Sequence, residues 1–145
     1  MAALPVAGSG GRTDIRGPPL DAGLDVQDIS RPRILVIEDE PDIREEVGDL
    51  LRDFGYEVEC AADGAEAFEH LGGGFSPGLI LLDLMMPVMD GRTFLARFRA
   101  EAANDPVPVV VMTAQRTTSE KGAVAVLSKP FDVDELLELV KRLAG

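Results

Sequence analysis

The 145 residues carry 26 acidic against 14 basic side chains, a formal net charge of -12, and 46% are hydrophobic, which suits one folded domain and excludes fibrous or wholly disordered classes. Cys60 stands alone and His70 is the lone imidazole, so there is neither a disulfide framework nor a thiolate or imidazole zinc set, and any metal must be held by oxygen. The excess of acid argues against nucleic acid or an anionic membrane as the main partner, no apolar run approaches the ~20 residues of a membrane span, and no basic flank of a signal peptide opens the chain, so a cytoplasmic protein is expected.

Residues 1–32 are rich in glycine and proline, among them Gly8, Gly10, Gly11, Pro18 and Pro19, and show no apolar period of 2 or 3.6; a flexible leader is expected there. Composition shifts at Arg31-Pro32-Arg33, which places the folded domain at 33–145. Ile34-Leu35-Val36-Ile37 is an unbroken aliphatic run suited to a strand buried on both faces. Pro41 suits the first turn of a helix, in which Ile43, Val47, Leu50, Leu51 and Phe54 recur at helical spacing until Gly55. A strand over 57–61 follows, then a helix from Asp63 carrying Ala65, Phe68 and Leu71 and stopped by Gly72-Gly73-Gly74.

The alternation continues with a strand over 79–82, a helix after Asp90-Gly91 carrying Phe94, Leu95 and Phe98, and a strand over 107–112. A short apolar stretch over 123–127 precedes the last helix, where Asp132 and Glu135 have capping-box spacing and Val133, Leu136, Leu137, Val140 and Leu143 form the apolar stripe. Five buried strands alternating with helices imply a parallel sheet covered on both faces by right-handed crossovers, a doubly wound α/β sandwich.

In such sheets ligands bind beyond the carboxyl ends of the strands. Those ends carry Glu38-Asp39, Asp83, Thr113 and Ser128-Lys129-Pro130, so three carboxylates, a hydroxyl and an ammonium converge on one edge. Carboxylates this close raise the pKa of at least one of them unless a cation neutralises the excess, and Lys129 supplies one charge only. A hard divalent ion such as Mg²⁺, which takes one or two carboxylates together with waters and phosphate oxygens, completes the balance. In that setting a carboxylate can attack phosphorus, with the metal and Lys129 balancing charge and Thr113 donating a hydrogen bond.

The pieces Ile34-Leu35-Val36-Ile37-Glu38-Asp39-Glu40, Leu81 to Gly91, Met112-Thr113-Ala114 and Leu127-Ser128-Lys129-Pro130-Phe131, in this order, resemble the receiver domain of two-component response regulators. The resemblance covers residues 33–143. It implies a flavodoxin-like five-stranded parallel sheet of order 2-1-3-4-5. It also implies that Asp83 is the phospho-acceptor, that Glu38 and Asp39 with Asp83 hold Mg²⁺, and that Met85 lends the metal a backbone carbonyl. Thr113 would be the switch hydroxyl and Lys129 the phosphate-pairing lysine, with a cis peptide before Pro130. The implied partners are a sensor histidine kinase or a histidine phosphotransfer protein and a downstream protein target, with no nucleic acid or membrane. The chain would be a phosphoryl acceptor that assists its own phosphorylation and dephosphorylation, not an enzyme.

Two departures matter. Only eleven residues, Thr113 to Ala123, separate the fourth strand from the fifth, and 115–122 has no apolar residue at helical spacing, so the fourth helix is expected to be shortened or irregular. Val126 stands three residues before Lys129, where receivers carry an aromatic whose rotation reports phosphorylation. The altered surface predicts a monomer, and one helix after Phe131 predicts a stand-alone receiver. Cys60 reads as a small core residue, and His70 as a solvated residue near a helix end. The alternatives weigh less. A phosphorylation-independent receiver-like module fits Val126. A phosphohydrolase wants a second acid where Met85 stands, and dinucleotide binding wants a glycine-rich turn after the first strand.

Overall fold

A computed structural model describes residues 31–101, 107–116 and 119–144; the leader expected over 1–32 falls, except for Arg31 and Pro32, outside the described residues. The aliphatic runs form five parallel strands, β1 (Arg33–Ile37), β2 (Glu57–Ala61), β3 (Leu79–Asp83), β4 (Val109–Thr113) and β5 (Ala125–Ser128), in spatial order β2-β1-β3-β4-β5. Helices α1 (Pro41–Asp53), α2 (Gly64–Gly72), α3 (Gly91–Glu101) and α4 (Val133–Ala144) complete the doubly wound order expected from the sequence. The register sets Ile37 beside Ala61 and Leu82, Asp83 beside Met112, and Thr113 beside Ser128, so the strands finish along one edge.

Alternation along each strand splits the core into two layers. Ile34, Val36, Leu79, Leu81, Val110 and Met112 face α1 and α4, meeting Val47, Leu51, Leu136, Leu137 and Val140. Leu35, Ile37, Ile80, Leu82, Val109 and Val111 face α2 and α3, meeting Ala67, Phe94, Leu95 and Phe98. β3 and β4 are buried at every position because both faces are covered. Side-chain caps set two helix starts: the Glu66 N–H donates to Asp63 Oδ1 at 2.8 Å and the Thr93 N–H to Asp90 Oδ1 at 2.8 Å. Among the described residues no helix is long and apolar enough to cross a membrane.

The shortened or irregular helix expected between β4 and β5 is formed by none of the described residues 114–116 and 119–124. The stretch is instead tied to α3 by arginines: Arg92 donates to Glu120 at 3.0 and 3.2 Å, and Arg99 donates through Nε and Nη2 to the Gly122 carbonyl at 3.1 and 2.9 Å.

Other expectations need correction. Phe54 lies just past the end of α1 and is 52% exposed, and Val133, at the first position of α4, is 54% exposed. Both continue an apolar period one step beyond the turns that touch the sheet. β5 begins at Ala125, two residues later than its apolar stretch. His70 is half-buried rather than solvated, with Nδ1 2.6 Å from Glu59 Oε1. Cys60 packs half-buried against the α1–α4 layer, and burial pushes its thiol up, in keeping with a structural role.

Candidate functional site

Glu38 follows β1 directly, and its N–H donates to the Ala61 carbonyl at 3.0 Å, which keeps it in line with the sheet. The Arg44 guanidinium donates to the carbonyls of Glu38 and Asp39 at 2.9 and 3.3 Å and fixes the turn into α1. Asp83 ends β3, Thr113 ends β4, and Lys129 follows β5 with a cis bond to Pro130, as the resemblance implied. All of the sequence-selected side chains therefore meet at one edge.

Carboxylate oxygens of Glu38, Asp39 and Asp83 lie within 4.8 Å of one another. Glu38 is fully buried and Asp83 is 3% exposed, whereas Asp39 is half-buried with its carboxylate exposed. Lys129 Nζ lies 2.7 Å from Glu38 Oε1 and 3.7 Å from Asp83 Oδ1. The second Glu38 oxygen accepts from the Glu40 N–H at 3.1 Å, and Asp83 Oδ1 from the Met85 N–H at 3.1 Å. Thr113 is fully buried, and its Oγ1 accepts from the Gln115 N–H at 3.0 Å.

The Asp83 carboxyl is pushed up to about 7, first by burial, then by the Asp39 carboxyl and the Glu38 charge, against the Met85 N–H and Lys129. Between about pH 4 and 7 Asp83 is thus protonated when folded and ionised when unfolded. Folding takes up a proton there, and stability falls as pH rises through that window. Asp83→Asn removes the titration, so its stability advantage over the parent should widen by about 2–4 kcal/mol from pH 4 to pH 8 in urea unfolding without divalent ions. Parallel pH profiles for the two proteins would contradict the assignment.

The loop after β3 is held tightly. The Gly91 N–H donates to the Leu84 carbonyl at 3.0 Å, and a Cβ on Gly91 would lie 2.4 Å from the Asp83 carbonyl oxygen and 2.7 Å from Leu84 Cα. Val88, 84% exposed with φ +66°, is the middle of a three-residue turn closed by the Met89 N–H on the Pro87 carbonyl at 2.7 Å. Such γ-turns are rare and strained, the more so for a β-branched residue. Gly91 and Val88 were not singled out as supports from the sequence, although Asp90-Gly91 stood in the motif.

The donor set suits an oxygen-liganded divalent cation. Three carboxylates face one ammonium, the site offers no imidazole or thiolate, and the Asp39 side chain keeps it open to solvent. A groove of about 400 Å³, lined by Asp39, Leu84, Met85, Met86, Pro87, Asp90 and Arg92, lies along the loop that follows Asp83.

The family model for the response regulator receiver domain matches residues 34–141. Response regulator Rre1 of Synechocystis sp. is 40% identical over 117 residues, covering 76% of this chain and 50% of that protein. RpaA of the same organism, named a DNA-binding dual master transcriptional regulator, is 40% identical over 118 residues, 77% of this chain and 48% of that protein. The chain spans about half the length of the curated relatives it matches. Among solved structures, response regulator TrrA of Thermotoga maritima in complex with Mg²⁺-BeF gives a TM-score of 0.69 at 34% identity, covering 77% of this chain and 98% of that one. Chemotaxis protein CheY4 of Vibrio cholerae gives 0.71 at 34% identity, covering 79% and 99%.

Proposed function

This chain belongs to the response regulator receiver family of two-component signalling, and on that premise we propose that Asp83 accepts a phosphoryl group from a phosphohistidine of a sensor kinase or phosphotransfer protein. The observation that carries the proposal is the buried acceptor geometry: Asp83 with Glu38 and Asp39 inside 4.8 Å, and Lys129 between Asp83 and Glu38.

An Asp83 carboxylate oxygen attacks phosphorus. An O–P bond forms as the N–P bond breaks, and the electron pair stays on the imidazole nitrogen, which takes up a proton. Lys129 balances the charge gathered on the transferring group, and the Thr113 hydroxyl donates to one of its oxygens. Glu38, Asp39 and Asp83, with the Met85 carbonyl, are the groups that would hold Mg²⁺, which when bound polarises the phosphoryl oxygens. The step is stoichiometric, so the chain acts as an acceptor and not as a turnover enzyme. Its output is a changed affinity for a protein partner, which needs only a differential binding energy of a few kcal/mol between two conformers.

Incubation with Mg²⁺ and a small phosphodonor is expected to place acid-labile phosphate on Asp83, found by mass measurement of the intact chain and its peptides. Equal labelling of Asp83→Asn would sink the proposal.

A second reading rests on Val126, which packs half-buried against the α2–α3 layer and has no ring to rotate. It makes the domain a binding module indifferent to phosphorylation. Equal partner affinity with and without beryllofluoride would favour it.

A further inference from the structure

The connection from Thr113 to β5 reaches back to the acceptor site through one side chain. Gln115 touches the site twice: its N–H donates to Thr113 Oγ1 at 3.0 Å, and its side-chain amide lies 3.1 Å from Met85 Sδ. Its Oε1 accepts from Arg92 Nη2 at 3.0 Å, while the same guanidinium grips both carboxylate oxygens of Glu120. Arg99, two turns further along α3, holds the Gly122 carbonyl at the far end of the connection.

Resting on the reading of Asp83 as acceptor, we propose that Arg92 is a positioning residue for phosphoryl transfer: through Gln115 it fixes the Thr113 hydroxyl so that its proton is free to point at the phosphoryl oxygen. A threonine hydroxyl has one proton to give and two lone pairs. The Gln115 N–H occupies one lone pair and so restricts where the O–H can aim. Gln115 lies in a bend flanked by the exposed Ala114 and Arg116, with no helix to hold it, so the side-chain anchor on Arg92 is what keeps that N–H in place. A guanidinium fork can hold a carboxylate and an amide oxygen together, which an ammonium does less well.

The test uses the full chain with saturating small phosphodonor and Mg²⁺. Arg92→Ala should slow labelling of Asp83 about ten-fold, the scale of a modest misplacement of a reacting group. Arg92→Lys should restore part of the rate. Arg99→Ala, which loosens the same connection without touching Gln115, should stay within about two-fold of the parent. Mg²⁺ affinity by calorimetry should stay within about two-fold throughout, because Glu38, Asp39 and Asp83 are untouched. An unchanged rate in Arg92→Ala, or an equal loss in Arg99→Ala, would overturn the inference while leaving Asp83 as acceptor. No label on the unsubstituted chain would overturn the acceptor reading and this inference with it.

Discussion

Lys129→Met is expected to cost about 3 kcal/mol of stability, the low end of the range for removing one partner from a buried ion pair. Glu38 is fully buried, and among the described residues its side chain is held by Lys129 Nζ at 2.7 Å and the Glu40 N–H at 3.1 Å. Methionine fills similar space but leaves the Glu38 charge without a counter-ion and removes the ammonium 3.7 Å from Asp83. The Lys129 side chain keeps 18% exposure, so water enters as the ammonium leaves and the loss stays below the full penalty. Millimolar Mg²⁺ should restore part of the stability, because a cation held by the same carboxylates supplies the missing charge. Urea unfolding with and without Mg²⁺ reads both effects. A loss under about 1 kcal/mol, typical of an exposed pair, would mean that the pair is not buried in solution.

Gly91→Ala is expected to cost about 3 kcal/mol and to abolish labelling of Asp83. The added Cβ would meet backbone, 2.4 Å from the Asp83 carbonyl oxygen and 2.7 Å from Leu84 Cα, and backbone at the end of a fully buried strand has nowhere to go. The start of α3 must then shift away from β3 and turn the acceptor with it. Gly64→Ala is the matching control. Its Cβ would meet the Met89 side chain, 2.8 Å from Sδ and 3.0 Å from Cγ, which can rotate aside, and 3.2 Å from Met89 Cβ, which must give slightly, while alanine in the first turn of α2 regains helix propensity of up to about 1 kcal/mol. Thermal melts and phosphodonor labelling of both variants check the contrast. Near-equal melting points would mean that the Asp83–Gly91 approach is looser in solution.

The strand-end chemistry was legible in the sequence because a buried parallel strand announces itself as an aliphatic run, and the residue where the run stops must stand at the sheet edge. Glu38, Asp83 and Thr113 follow this rule, and Lys129 comes directly after Ser128, where the run of β5 stops. Helix starts at Asp63 and Asp90 were legible for a similar local reason, a side chain reaching an N–H three residues on. What holds the β4–β5 connection was not. Arg92 and Arg99 lie 23 to 28 residues upstream of Gln115, Glu120 and Gly122, and on α3 they look like any solvated arginine. Phe54 and Val133 failed for another reason: periodicity tells which side of a helix is apolar, not how far the sheet beneath it extends. Charge repulsion predicts a raised pKa on at least one of the clustered carboxylates without saying which; it falls on Asp83, where burial is the first cause, and burial depends on the assembled site.

The sheet divides the apolar interior into two compartments with separate side-chain lists. Leu51 under α1 and Phe94 under α3 belong to different compartments, and no side chain of one can relax into a void made in the other. Losses on opposite sides therefore add, and each layer of helices can drift in sequence without compensation from its counterpart.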